Sequence, residues 1–263
     1  TQFLKPLFSG TGSRLLLLRP RRFGKTLTMS TLRRFLEIDF QNPGDTSRQQ
    51  ELFRGLKVMD DREFCEEHMG RYPVVSVSLK SADGVAYDDA FERLAGVISR
   101  LAWNFSWLDG PDLTEKEHVF LDRLSDFDYL RQPAGRGFAE QSLVFLCRLL
   151  RKCFGDSHKP VLLIDEYDVP LQKAAAGGYY EPMNRLVGTM LNRALMDRDD
   201  ICKVILTGCL PATGEAIFTG VNGLCIDTVL ARGNGLSAAI GFTPAEARAM
   251  LGYYGFGDLY EKA

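Results

Sequence analysis

The feature that most constrains this fold is a set of five short apolar runs, each continuous rather than alternating. They occupy residues 14–18, 73–79, 161–165, 203–207 and 225–230. A short continuous run is typical of a strand that is covered on both faces, as in a parallel sheet. Amphipathic helical patterns lie between the runs, and strands that alternate with helices form layered α/β domains with right-handed crossovers. We therefore predict an α/β sandwich of three layers with a mostly parallel central sheet.

Composition and charge narrow the class of protein. The 263 residues are 45% hydrophobic and 25% charged, with a formal net charge of -2, which is the balance of a soluble globular protein. No global field draws such a chain to nucleic acid or acidic membranes. No apolar run approaches the roughly 18 residues of a membrane span. The six scattered cysteines include no C-x-x-C pair, so we expect reduced thiols in the cytoplasm and no zinc site.

The stretch RPRRFGKT, residues 19–26, ends like a phosphate-binding P-loop. In a P-loop, backbone N–H groups and a helix N-terminus surround a phosphate, the lysine reaches the β- and γ-phosphates, and a Ser or Thr hydroxyl ligates Mg²⁺. An apolar run precedes this loop and a helical pattern follows it, as the motif requires. Gly24, Lys25 and Thr26 therefore predict a nucleotide site.

The front half of this loop departs from the pattern G-x-x-x-x-G-K-[ST]. Arg19 stands where the pattern has a glycine, and Pro20 has no N–H to donate to phosphate. Seven basic residues and no acidic one lie from Arg14 to Arg34. An alternative therefore stays open, in which this basic cluster belongs to a module that binds the backbone of a nucleic acid.

A second motif supports the nucleotide hypothesis. VLLIDEYD, residues 161–168, is an apolar run that ends in two acids, the Walker B form. Asp165 would hold Mg²⁺ through its water shell, and Glu166 would polarise the attacking water. Both carboxylates would lie at the carboxyl end of a strand, where open α/β sheets bind ligands. A glutamate directly after the aspartate favours the hydrolase branch of P-loop proteins over the nucleotide kinases.

A third motif, KVILTG at residues 203–208, reads as an apolar strand that ends in Thr207. In the hydrolase branch, a strand lies between the P-loop strand and the Walker B strand, and its end carries a polar sensor that helps to position the lytic water. Thr207 fits that role. The alternative is an ordinary strand-end threonine followed by a turn at Gly208.

The predicted site residues divide by role. The catalytic residues are Glu166, Lys25 and Thr207, and the metal ligands are Thr26 and Asp165. The cofactor-binding residues surround the glycine and lysine of the loop: Arg21, Arg22, Phe23, Gly24, Lys25, Thr26 and Leu27. The direction of the two loop arginines discriminates between the hypotheses, since arginines that face the pocket serve the nucleotide and arginines that face outward do not.

Six stretches of the sequence resemble one family, the bacterial AAA-ATPase-like proteins. These are predicted P-loop ATPases that are commonly fused to a PD-(D/E)XK nuclease-like C-terminal domain. The stretches are RPRRFGKT, VVSVSLK, LLIDEYDVPL, VILTG, IFTGVNGL and GFTPAEARAMLGYYG, and together they cover essentially the whole chain. The family resembled carries Arg-Pro-Arg-Arg-Phe itself in place of the glycine-led loop, which accounts for Arg19.

The resemblance implies a P-loop NTPase fold that binds ATP and Mg²⁺. It implies ligand roles for Lys25, Thr26 and Asp165, a hydrolytic role for Glu166 and a sensor-like role for Thr207. The expectation that the nucleotide is ATP rather than GTP also rests on the resemblance. Asp168 belongs to the same family motif, and we expect it simply to cap the next helix.

Two departures from the family bear on activity. The family usually carries an arginine soon after the T-G of the fourth strand, where this chain has Pro211, and a lysine position nearby is Gly214. If that arginine contacts the γ-phosphate, turnover would suffer more than binding. The chain also ends before any PD-(D/E)XK pattern. We expect residues 1–240 to form the P-loop domain, with a helical insertion at about 80–159, and residues 241–263 to begin a truncated helical lid.

The leading hypothesis is Mg²⁺-dependent ATP hydrolysis that drives a conformational switch. One alternative is a nucleotide-binding switch with weak or no hydrolysis, because Pro211 replaces the family arginine. The other is the nucleic-acid-binding module described above. The expected partner is ATP, and a nuclease-like domain or nucleic acid would be reached through the C-terminal part. No membrane partner is expected, and a homo-oligomer stays open.

Overall fold

The computed structural model describes residues 1–10, 12–108, 113–209, 217–218, 220–229, 236, 240 and 244–256. This part of the chain is built around a parallel sheet of five strands, and each predicted apolar run forms one of them, with small shifts at the ends. The strands are β1 (Arg14–Leu18), β2 (Val74–Ser78), β3 (Val161–Asp165), β4 (Lys203–Gly208) and β5 (Leu224–Asp227). The predicted α/β fold class is confirmed, and the sheet is wholly parallel, consistent with a P-loop NTPase-like sandwich.

Helices connect the strands and cover the sheet. They are α1 (Leu4–Phe8), α2 (Lys25–Leu36), α3 (Ser47–Phe53), α4 (Arg62–His68), α5 (Tyr87–Trp103), α6 (Glu115–Ser125), α7 (Phe127–Leu130), α8 (Arg136–Phe154), α9 (Val169–Gly177), α10 (Tyr180–Met196) and α11 (Pro244–Tyr253). Among these described helices, none combines the length and the apolarity needed to cross a membrane.

Alternate side chains of each strand enter two hydrophobic clusters, one on each face of the sheet. On β1, Leu16 and Leu18 join a cluster that includes residues of α5, α8 and α10. Leu15 and Leu17 join a second cluster that includes residues of α1, α2 and α4. The sheet is therefore covered on both faces, which explains why its strands read as continuous apolar runs.

Helices α5 to α8 occupy the stretch between β2 and β3, where the sequence predicts a helical insertion. Their apolar side chains belong to the same cluster as the sheet face that they cover, and α8 also packs against α10. Near the C-terminus, α11 lies within residues 241–263, where the sequence predicts the beginning of a helical lid. The division of the chain into residues 1–240 and 241–263 stays a prediction.

Candidate functional site

The strand order brings the ends of several strands together beneath the β1–α2 loop, residues 19–24. β4 lies between β1 and β3, as predicted for the strand of Thr207, and Leu18 pairs with Gly208. On the other side of β3, Ser78 of β2 pairs with Asp165. Because the strands are parallel, the residues that follow them meet at one edge of the sheet, which is the usual ligand position in open α/β folds.

The β1–α2 loop ends at Gly24, which has a left-handed backbone with a φ of 75°, the region that favours glycine. Helix α2 begins at Lys25, and no side chain caps it. Its first backbone N–H groups therefore lie at the end of the helix that stabilises anions. The Lys25 amine donates to the carbonyls of Arg19 and Pro20 at 2.9 and 3.0 Å, and it contacts Cys209 Sγ at 3.1 Å. Backbone carbonyls thus hold the amine at the mouth of the loop.

A chain of hydrogen bonds joins α2 to β3 and β4. The Thr26 hydroxyl donates to Asp165 Oδ2 at 2.7 Å, and the Thr207 hydroxyl donates to Asp165 Oδ1. Asp165 is 6% exposed and Thr207 is fully buried. The two predicted metal ligands, Thr26 and Asp165, are therefore in contact. Thr207 is buried deeper and bonds to the other oxygen of the same carboxylate.

Glu166 leaves β3 with a left-handed backbone, with a φ of 54°. Its backbone N–H donates to Thr207 Oγ1 at 3.3 Å. A non-glycine residue in this region costs on the order of 1 kcal/mol, and it persists at ligand sites because the surroundings hold it there. The turn interrupts the strand, so that Asp165 stays buried while the half-buried Glu166 lines the cleft above it.

The next two residues of the IDEYD motif anchor this turn. Tyr167 is fully buried, and a Cβ on Gly208 would lie 2.5 Å from its ring, so the end of β4 needs glycine. Asp168 Oδ2 accepts from the backbone N–H of Cys209 at 2.9 Å and from Gln172 Nε2 at 2.6 Å. Asp168 precedes α9, but its side chain makes no cap bond to that helix. The expected capping role is therefore wrong, and the carboxylate ties α9 to the end of β4 instead.

An open cleft of about 660 Å³ lies over this edge of the sheet. The predicted site residues that line it are Arg21, Arg22, Gly24, Lys25, Thr26, Leu27 and Glu166. Both loop arginines border the cleft, which is the arrangement expected if they serve a nucleotide. Phe23 is 38% exposed but is not part of the lining. Asp165 and Thr207 also stay out of the lining, because they are buried beneath it.

Sequence reasoning missed several residues of the same cleft: Lys80, Asp83, Asp168, Val169, Gln172 and Cys209. A signal existed for Lys80, since it directly follows an apolar run, as the acids after β3 do. Asp83 and Gln172 carry no comparable signal, because they reach the cleft through the packing of their segments. With Lys80 included, the lining holds four cationic side chains and three carboxylates, a balance that suits an anionic ligand.

Arg19, which stands at the glycine position of the usual P-loop pattern, does not line the cleft. It is 1% exposed, Asp227 at the end of β5 is fully buried, and the two form an ion pair at 2.5 Å. The guanidinium also donates to the carbonyls of Leu18 and Asp227. Arg19 therefore fastens the end of β1 to the end of β5.

The remaining basic residues of the 14–34 cluster also separate in the fold. Arg14 is fully buried and donates to the carbonyls of Leu195 and Asp197, and burial lowers its pKa to about 10. Arg33 and Arg34 lie in the last turn of α2, at the opposite end of that helix from the cleft. The cluster does not form one surface, so the nucleic-acid hypothesis built on it loses its geometric support.

The oxygen atoms of Thr26 and Asp165 suit a magnesium ion that arrives with a nucleotide. Mg²⁺ takes oxygen ligands, keeps several waters, and usually combines one or two protein groups with substrate phosphates. Across the described residues, no group of three or more His, Cys, Asp or Glu side chains could hold a metal by itself. A hydroxyl and a carboxylate in contact therefore fit Mg²⁺–nucleotide better than a resident metal.

Comparison with known proteins identifies a family to which this chain is similar. The family model of the AAA-ATPase-like proteins, described as predicted AAA-ATPase, matches residues 1–218. No curated protein and no solved structure matches the chain. The matched range contains every residue of the cleft lining, whereas β5 and α11 follow it.

Proposed function

Since the chain belongs to the AAA-ATPase-like family, we propose that it binds ATP with Mg²⁺ in this cleft and hydrolyses the nucleotide. The observation that carries the proposal is the contact between the Thr26 hydroxyl and Asp165 Oδ2 at 2.7 Å. It joins the first turn of α2 to the end of β3, so that a hydroxyl and a carboxylate converge beside the lysine of the loop.

In the proposed complex, the β-phosphate lies at the N-terminus of α2, where the backbone N–H groups of the first turn stabilise its charge. The Lys25 amine exchanges the carbonyls of Arg19 and Pro20 for phosphate oxygens, and Arg21 and Arg22 border the same space. Thr26 and Asp165 are the residues that would hold Mg²⁺. The ion, when bound, neutralises charge on the β- and γ-phosphates.

Hydrolysis would be in-line attack of water on the γ-phosphorus. The bond between the water oxygen and phosphorus forms as the bond between phosphorus and the β–γ bridging oxygen breaks, and that oxygen leaves with its electron pair on ADP. Glu166 orients the water and accepts its proton, which returns to phosphate. Thr207 contributes indirectly, because it holds the carboxylate of Asp165 and the backbone of Glu166. Release of both phosphate and ADP would return the Lys25 amine to the loop carbonyls, and we propose this exchange as the start of the conformational switch.

A second candidate is nucleotide binding with little hydrolysis. The sequence favours it at one point, because the family arginine is replaced by Pro211, which lies outside the described residues together with Gly214. The two candidates share the binding site and differ only in turnover. A nuclease-like partner, nucleic acid and a homo-oligomer stay predictions.

One paired experiment tests the proposal. Binding of Mg²⁺–ATP and release of phosphate are measured for the wild-type chain, Lys25→Ala and Glu166→Gln. We expect Lys25→Ala to lose binding, and Glu166→Gln to bind ATP while phosphate release falls by about a hundredfold or more. Wild-type binding without turnover above that of Glu166→Gln would favour the second candidate. Failure of the wild-type chain to bind any nucleotide would overturn both.

A further inference from the structure

The end of β2 places one more cation beside the proposed catalytic turn. Ser78 pairs with Asp165 in the sheet, and the backbone N–H of Leu79 donates to the Asp165 carbonyl at 2.9 Å. Leu79 is 1% exposed, and Ala82, which donates back to the Leu79 carbonyl at 3.0 Å, is fully buried. The backbone of Lys80 is therefore fixed between two buried anchors, directly beside the residues that follow β3.

The Lys80 side chain lines the same cleft as Lys25 and Glu166. It is exposed, and among the described residues its amine has no ion-pair or hydrogen-bond partner. Asp83, the carboxylate nearest to it in sequence, is instead in an ion pair with Arg93 at 3.4 Å. An amine that is held at a ligand cleft and not neutralised by the protein is available to an anion.

The strand order tells which part of a nucleotide Lys80 would meet. Lys25 extends from the loop above β1, and β2 lies at the far edge beyond β4 and β3. Adjacent strands are roughly 4.8 Å apart, so the two lysines approach the cleft from strands about 14 Å apart. Glu166, the residue proposed to orient the water, follows β3 and lies between them. In the proposed complex, the β-phosphate lies at the N-terminus of α2. The phosphate on the Glu166 side of the loop is therefore the terminal phosphate of a triphosphate.

We propose that Lys80 binds the γ-phosphate of ATP and stabilises the negative charge that the phosphoryl group carries during transfer. P-loop hydrolases depend on a cation at this position, and here one strand of the same chain would supply it. The inference rests on the proposed function, since it names a further catalytic residue for the same site. Lys80 would contact ATP but not ADP, whereas Lys25 would contact both nucleotides. Loss of Lys80 should therefore weaken binding of ATP alone.

The test compares two nucleotides across four proteins: the wild-type chain, Lys80→Met, Lys80→Arg and Lys116→Met. Lys116 is the matched control, since it is also exposed and also has no ion pair in the described part of the chain, and it lies on α6 away from the cleft. Equilibrium binding is measured with Mg²⁺–ADP and with Mg²⁺ and a non-hydrolysable ATP analogue. Phosphate release from ATP is measured in parallel.

We expect Lys80→Met to weaken binding of the ATP analogue by about ten- to a hundredfold, as for the loss of one charge-assisted hydrogen bond. Binding of ADP should change by less than about twofold, which also reports that the variant is folded. Phosphate release should fall at least as much as binding of the analogue, with Lys80→Arg recovering part of both. Lys116→Met should match the wild-type chain.

Two outcomes would overturn the inference, and they are distinguishable. If the wild-type chain binds both nucleotides and Lys80→Met weakens neither, or weakens both equally, Lys80 does not contact the γ-phosphate and the proposed function stands. If the wild-type chain binds neither nucleotide, the proposed function is wrong and the role of Lys80 is wrong with it.

Discussion

At the scale of single residues, the buried pair of Arg19 and Asp227 explains the unusual front half of the loop. A conventional P-loop has glycine at this position to make a tight turn. Here the residue is an arginine that is 1% exposed, and its guanidinium is held by Asp227 and by two backbone carbonyls. At this position the chain therefore has a side chain that joins β1 to β5 in place of a glycine turn. The loop residues that line the cleft begin only after it, at Arg21.

Restoring the glycine should damage the fold rather than improve the loop. We expect Arg19→Gly to lower the free energy of unfolding by about 3–5 kcal/mol, because it removes the cation of a buried ion pair. The double variant Arg19→Met with Asp227→Leu removes both charges and should recover most of that loss. Urea denaturation of the wild type, the single variant and the double variant measures these free energies of unfolding. A single variant within about 1 kcal/mol of the wild type would show that the pair does little for stability.

At the scale of elements, one buried lysine joins α1 to β4 beside the apolar side chains that the two elements share. The Lys203 amine donates to the carbonyl of Phe8, the last residue of α1, and lies 5.2 Å from the centre of the Phe8 ring. Lys203 is 4% exposed, and burial lowers its pKa from 10.5 to about 8. The nearby thiols of Cys202 and Cys225 act in the opposite direction on this pKa, but burial outweighs them.

This lowered pKa makes folding depend on pH with a defined sign. Between the folded pKa of about 8 and the ordinary value of 10.5, the unfolded chain holds a proton that the folded chain has released. Stability contributed by Lys203 therefore rises with pH across that window. We expect the unfolding free energy of the wild type, relative to that of Lys203→Met, to rise by about 2 kcal/mol between about pH 7 and about pH 10. A difference that stays flat or falls would contradict the buried position of this amine.

The sequence was sufficient for the elements whose signals are local. Continuous apolarity located the strands, the GKT pattern located Lys25 and Thr26 at the start of a helix, and the DE pattern located Glu166 at a strand end, because these signals need only neighbours in the chain. The pair of Arg19 and Asp227 could not be predicted, since it joins residues 208 positions apart. The order β2-β3-β4-β1-β5 decides such pairs, and that order is set by packing across the sheet rather than by any single segment.

At the scale of the whole molecule, the candidate site links parts of the fold that are distant in the chain. The contacts of Thr26 and Thr207 with Asp165 join α2, β3 and β4, and the bond that the Cys209 N–H donates to Asp168 joins the segment after β4 to α9. A nucleotide in the cleft would also contact the end of β2 through Lys80. Binding at one edge of the sheet should therefore stabilise the folded chain as a unit.

That coupling predicts a thermal shift that depends on the loop lysine. A ligand at about one hundred times its dissociation constant stabilises the folded state by about 2.7 kcal/mol, and each kcal/mol raises the melting temperature of a chain of this size by about 2–4 °C. We therefore expect Mg²⁺–ATP at that excess to raise the melting temperature of Glu166→Gln by about 5–10 °C.

The shift should be smaller without Mg²⁺, because Asp165 would then face the phosphates without a cation between them. Lys25→Ala should show no shift at the same ATP concentration, since the proposed phosphate contact is lost. Differential scanning calorimetry of Glu166→Gln and Lys25→Ala, each without ligand, with ATP alone and with Mg²⁺–ATP, makes both comparisons. An equal rise in both variants would place ATP somewhere other than the cleft above β1, β3 and β4.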